Sequence, residues 1–280
     1  MNFVGLAILE VTLLGLLSGL VGTLAVMRRR AFFTVALSHA TFPGGVIAAL
    51  AGFSVMLGSA LFAVILVLIM TGLSRIKHQG KQVATGVILT FGFALGALLQ
   101  SVNRDLAIPV DALLIGSLLS VSAFDVIAAA VVLALSLILF LMFSRTLLFS
   151  TFDVDGFRAS GFQPWLADLV ALSVIAATVV VTMPAVGAIL GVALIIGPAV
   201  TARLLVRNIF WTAPVAAVIG ISAGLIGLAA SAAFSIAAGG AVGLAVAALF
   251  FAALLTRALV RGNPFGRRRH GNRQAQYLAA

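Results

Sequence analysis

The sequence predicts an all-α fold: a polytopic transmembrane helix bundle of about nine spans (eight possible), with a short cytoplasmic helix between two of them. Three observations predict it. Hydrophobic types make up 63% of the 280 residues and charged types 9%, whereas a soluble domain carries about a quarter charged residues to wet its surface. The apolar residues come in long continuous runs, and about 20 helical residues at ~1.5 Å rise cross a ~30 Å hydrocarbon core. The basic residues are distributed asymmetrically along these runs. Lipid offers no hydrogen-bond partner to the backbone, so each run satisfies itself as a helix. A β-barrel would need alternating ~10-residue strands, and the runs do not alternate.

The elements follow in order. Span 1 covers about 4–27 and is stopped by Arg28, Arg29 and Arg30. This basic cluster follows the apolar run instead of preceding it, so the run reads as a true span and not as a cleaved signal peptide. Span 2 covers 33–51, a turn at Gly52–Phe53–Ser54 follows, and span 3 covers 55–73. Arg75, Lys77, His78 and Lys81 make a short basic loop before span 4 at 83–101. Asn103, Arg104, Asp105, Pro109 and Asp111 make an external loop. Residues 112–122 are apolar but too short to cross, which suits a re-entrant or interfacial helix. Span 5 covers 125–143, and the polar stretch 144–164 reads as the largest internal loop. Spans 6 to 9 cover 166–183, 186–205, 212–233 and 241–259. The transmembrane domain thus occupies 1–262, and 263–280 form a basic flexible tail. Of 17 Lys and Arg residues, only Arg104 falls on the side read as external. This bias orients the chain in a bacterial plasma membrane with the N-terminus outside and the C-terminus in the cytoplasm. The same asymmetry accounts for the net charge of +10 without nucleic-acid binding.

Several chemistries are excluded. There is no cysteine, so disulfides and thiolate sites are absent. No G-x-x-x-x-G-K-[ST], H-E-x-x-H or G-x-S-x-G occurs, which argues against ATP binding by this chain, zinc proteolysis and serine hydrolysis. With three His, no Cys and seven acids, catalytic options are few, and neither an enzymatic activity nor a cofactor of the chain's own is expected.

Ionisable groups inside a membrane are costly and are default site candidates. Glu10 and His39 stand out. His39 lies in Ala36-Leu37-Ser38-His39-Ala40-Thr41-Phe42-Pro43-Gly44-Gly45. Pro43 has no N–H, so the His39 carbonyl loses its helical partner. A free carbonyl, an imidazole and the hydroxyls of Ser38 and Thr41 then share one turn, as in the broken helices of transport paths. Imidazole suits zinc, manganese or iron. The alternative is a histidine hydrogen-bonded between helices beside an ordinary kink. Glu10 is a path carboxylate or a protonated group hydrogen-bonded to a neighbouring helix. Gly197 and Pro198 mark a second helix break, or small residues for tight packing. In residues 152–162, Asp153 or Asp155 can cap a short helix and Gly161 can end it.

Taken together, several segments resemble the permeases of manganese, zinc and iron ABC importers. Arg29-Arg30-Ala31 through Ala36-Leu37-Ser38-His39-Ala40 to Pro43-Gly44 is similar to that family's R-R-x-A-L-x-G-D-A-L-S-H-A-x-L-P-G. Residues 86–100 resemble its next helix, and Leu114-Ile115-Gly116-Ser117-Leu118-Leu119 its L-x-G-x-L-L. Phe152-Asp153 through Arg158-Ala159 to Gly161 resembles its ATPase-coupling segment. Ala193-Leu194-Ile195-Ile196 through Pro198 to Leu205 resembles its A-L-L-x-x-P-A-A-x-A-R-L-L. The likeness covers roughly residues 1–260. It implies an ATP-driven importer working by alternating access, with a divalent metal (Mn, Zn or Fe) as cargo. The implied partners are a cytoplasmic ABC ATPase that binds ATP, an extracellular metal-binding receptor, and a second copy or related permease. It also implies a metal path or gate at His39, with Glu10, Ser38, Thr41 and Pro43 as further candidates. The implied coupling surface is Asp153, Asp155, Gly156, Arg158, Ala159 and Gly161. One departure is that Val35 stands where the family often has Asp, four residues before the His. The other classes that the composition allows are a permease for an iron chelate or cobalamin and a proton-coupled secondary transporter. The latter needs a relay of buried acids or histidines, and Glu10 and His39 are few for that.

Overall fold

The computed structural model describes residues 3–73, 81–103, 116, 118 and 121–261. Among them there is no strand, and nine helical segments are long and apolar enough to cross a membrane. The expected basic tail at 263–280 and the basic loop residues Arg75, Lys77 and His78 lie outside the described residues. So does most of the expected re-entrant segment.

The first span, Val4–Met27, is built from α1 (Phe3–Leu17), a π-helical turn (Ser18–Gly22) and α2 (Thr23–Met27). The second is divided at Thr41 into α3 (Ala31–Ala40) and α4 (Phe42–Leu50). Then come α5 (Val55–Leu73), α6 (Lys81–Val102), α7 (Ala123–Phe152), the short α8 (Val154–Ala159), α9 (Pro164–Val186), α10 (Ala188–Leu205), α11 (Ile209–Phe234) and α12 (Ala238–Arg261). Successive spans alternate in direction, so one end of the bundle carries α8, Arg28–Arg30 and Arg203. The other end carries the starts of α1 and α7 and the α9–α10 junction.

Leu14, Leu17, Leu172, Ile175, Leu194 and Ile195 are fully buried in one apolar cluster that joins α1, α9 and α10. Between helices in lipid the hydrophobic effect is weak, and close van der Waals packing of small residues replaces it. The π-turn illustrates this: Gly19 lies against the Ala217 backbone of α11, and Gly22 against the Ile195 carbonyl of α10. Large apolar side chains such as Leu61, Leu68, Leu141 and Met142 remain exposed on the outside of the bundle, as a lipid-facing surface requires.

Three expectations are corrected. Span 5 does not stop near residue 143, since α7 continues to Phe152. Its start is fixed by a reciprocal cap in which Ser122 Oγ accepts from the Asp125 N–H and Asp125 Oδ2 accepts from the Ser122 N–H. Near its far end, Ser150 and Thr151 donate their hydroxyls to the Leu147 carbonyl, so these polar residues need no loop. The polar stretch 144–164 is therefore mostly helix. Second, α9 runs through Pro184 to Val186, and the chain reverses instead at Gly187, whose φ of 87° is open to glycine. Third, the break expected at Gly197 and Pro198 does not occur: α10 continues through both to Leu205, and Thr201 donates to the Gly197 carbonyl at 2.8 Å.

Candidate functional site

At one end of the bundle, α8 forms a small projecting platform between α7 and α9. Asp153 Oδ1 accepts the Gly156 N–H at 2.8 Å, satisfying one of the donors left unpaired at the start of a helix. Gly161, at φ 82°, turns the chain away after α8. Phe157 is the buried anchor. Its ring packs at 5.4 Å from Phe149 and 5.2 Å from Phe162. The other face is open: Asp155, Arg158, Ala159 and Gly161 are exposed, beside the exposed apolar side chains of Phe152, Val154 and Phe162. Gly156 is half-buried against Asp153. The 3.7 Å Asp155–Arg158 pair is exposed and holds little energy.

A buried ionic clamp sits directly behind this platform. Arg28 Nη1 donates to Asp168 Oδ1 at 2.8 Å and Arg30 Nη2 to Asp168 Oδ2 at 2.9 Å. Arg28 also donates to the Ala167 carbonyl at 3.0 Å, to Thr151 Oγ1 at 3.1 Å and to Ser150 Oγ. The arginine side chains are 5% and 6% exposed. The clamp therefore joins the end of α7 and the start of α9, which flank α8, to the turn between α2 and α3. Sequence reasoning did not single out Asp168. The usable signal is an acid near the start of a span, on the same side as an arginine cluster.

Midway along the second span, His39 is half-buried and stacks edge-on against Phe93 of α6, centroids 6.1 Å apart. The interhelical hydrogen bond left open for His39 is not made among the described residues. The break beyond it is present. Gly44 and Gly45 N–H groups both turn back to the Thr41 carbonyl, at 3.1 and 3.4 Å, and Pro43 occupies the first turn of α4, where its missing N–H costs nothing. Ser38 and Thr41 hydroxyls donate to the Val35 and Leu37 carbonyls at 2.8 and 3.0 Å. Their protons are engaged while their oxygens keep lone pairs. Thr41 Oγ1 also reaches Met183 Sδ at 3.6 Å. Val35 shares the half-buried face with His39 one turn earlier, so no carboxylate accompanies the imidazole there.

Glu10 is fully buried, and neither carboxylate oxygen has a hydrogen-bond partner among the described residues. The expected bond to a neighbouring helix is thus corrected. Among the described residues no group of three or more His, Cys, Asp or Glu side chains converges.

A bundle of membrane-crossing helices with a short capped helix held outside it is the architecture of a transporter permease. The chain belongs to the ABC 3 transport family, whose description matches residues 1–257. It is 36% identical over 237 residues to the zinc transport system membrane protein TroC of Treponema pallidum, covering 80% of this chain and 78% of that one. It is 29% identical over 244 residues to the manganese transport system membrane protein MntC of Halalkalibacterium halodurans, covering 87% and 84%. Among solved structures, PsaBC from Streptococcus pneumoniae in complex with Fab superposes with a TM-score of 0.75 at 26% identity, covering 91% of each chain.

Proposed function

We propose that this chain is the membrane permease subunit of an ATP-driven importer of a divalent transition metal. The observation that carries the reading is α8: a capped helix, anchored by Phe157, whose exposed face has no partner within the described part of the chain. Such a platform suits docking by a separate cytoplasmic ABC ATPase that binds ATP. Asp153 and Gly156 fix its start, Asp155, Arg158 and Ala159 offer the contact, and Gly161 sets its exit. The cargo class follows the relatives named for manganese, zinc and iron. His39, beside the Thr41–Pro43 break, is the path or gate residue, with Ser38 and Thr41 oxygens in the same turn. Imidazole and oxygen donors suit these borderline ions.

The end of the bundle that carries α8 also carries Arg28, Arg29, Arg30, Arg203 and Arg207, so it faces the cytoplasm and the N-terminus lies outside. An extracellular receptor delivers metal to the opposite end, and a second permease copy or related permease completes the path. ATP-driven closure of the ATPases moves α8, and the bundle switches the side to which the path opens. The test is reconstitution in vesicles with the ATPase and receptor. ATP-dependent uptake of manganese, zinc or iron is expected. Uptake driven by a proton gradient without the ATPase overturns the reading.

A further inference from the structure

In the half of the bundle that carries α8, a groove of about 860 Å³ opens sideways between the first span, α7 and α11. Leu24 and Leu147 form its buried floor, and Leu137, Leu141 and Phe210 its exposed rim. Along α7 it runs from Leu133 to Arg145, about 18 Å at ~1.5 Å per residue. One leaflet contributes about half of a ~30 Å hydrocarbon core, so the groove is about one leaflet deep.

Its lining is segregated. The deep end is apolar, with Leu16, Leu20 and Leu133, whereas Ser144, Arg145 and Thr151 gather toward the α8 end. Arg145 is the one charged side chain in the lining. It is exposed and makes no hydrogen bond or ion pair among the described residues. It stands about 33 Å along α7 from Ala123, where the hydrocarbon ends. Trp211, exposed in the first turn of α11, marks the same boundary, since indole rings settle among lipid headgroups. Two further features add positive potential at this edge. Ile209 and Phe210, which open α11, line the groove, and the unpaired N–H groups of a first helical turn carry about half a positive charge. Arg207, two residues before α11, is exposed. No acidic side chain lines the groove among the described residues.

From this arrangement we infer that the groove binds a phospholipid with an anionic headgroup, drawn from the leaflet at the α8 end. Its acyl chains lie on Leu24 and Leu147, and its phosphate meets Arg145 beside the start of α11. Basic pockets between transmembrane helices on the cytoplasmic side hold anionic headgroups in this way. A second permease suits the groove less well: it has to complete the path at His39, on α3 against α6, and neither helix walls the groove. Thr151, which accepts the Arg28 Nε–H at 3.1 Å, also lines the groove, so a bound lipid abuts the clamp behind α8. The site is independent of the path and its cargo.

The test uses the full-length permease purified in detergent and offered phosphatidylglycerol or phosphatidylcholine with the same acyl chains, with retained lipid read by native mass spectrometry. The wild type is expected to retain phosphatidylglycerol in preference. Arg145→Gln removes an exposed charge and is expected to weaken phosphatidylglycerol binding about fivefold. Ala213→Trp fills the groove from a half-buried position of its wall and is expected to lower retention of both lipids. Leu137→Cys gives the chain its one cysteine and is expected not to cross-link two permease copies. Equal retention of the two lipids by the wild type overturns the site. So does unchanged phosphatidylglycerol binding in Arg145→Gln or Ala213→Trp, or a cross-link between copies through Leu137→Cys.

Discussion

Asp168→Asn removes the single negative charge shared by Arg28 and Arg30 while keeping the side chain's shape. The two guanidinium groups are 5% and 6% exposed and the carboxylate 18%, so water cannot easily replace what is lost. Breaking a buried ion pair by neutralising one partner costs about 3–5 kcal/mol. The partial exposure of Asp168, and the one oxygen an amide retains, put this case at the lower end, about 3 kcal/mol. For a chain of this length that corresponds to a fall in Tm of roughly 6 °C or more, readable by thermal unfolding of the purified permease in detergent. The clamp also ties both flanks of α8 to the start of α3, so metal transported per ATP hydrolysed falls as well. Replacing Arg28, Arg30 and Asp168 together by leucine separates the two effects. An apolar substitute for a buried ionic triad is about neutral or stabilising, so Tm recovers while coupling does not. An Asp168→Asn variant with wild-type Tm and wild-type coupling refutes the claim that the clamp is either stabilising or mechanical.

Three further outcomes are expected. Phe157→Ala removes a ring packed between Phe149 and Phe162. It costs about 3 kcal/mol at that anchor and detaches α8, so the ATPase no longer copurifies although helical content by circular dichroism is unchanged; normal copurification refutes the anchor. Gly161→Asp places a side chain at φ 82° and a charge beside the open face of α8. The strain is about 1–2 kcal/mol, and ATP hydrolysis is expected to be uncoupled from transport; a variant that couples normally moves the contact elsewhere. His39→Ala is expected to impair uptake at limiting metal while the permease still assembles with its ATPase; unchanged uptake removes His39 from the path.

The spans, their number and the short helix after α7 were legible because they depend on local quantities: the length of an apolar run, a capping aspartate at 153, a glycine at 161. The break at Thr41 was legible for the same reason, since Pro43 acts on the carbonyl four residues before it. That rule misled at Pro198, where packing of α10 against α12 and the π-turn holds the helix continuous despite the missing donor. It misled again at residues 144–152, where hydroxyls that look like loop residues bond back into their own helix.

The sequence by itself determined a membrane bundle, its alternating directions and the helix that projects from it, because lipid forces each span to satisfy its own backbone. Only the tertiary structure decided which side chains meet. Arg28 and Arg30 reach Asp168 across 140 and 138 residues, Asp125 joins Ser59 and Met183 around one cavity, and Glu10 has no hydrogen-bond partner among the described residues. Such meetings depend on how spans distant in the chain pack and rotate against one another, and no periodicity within a single span encodes that.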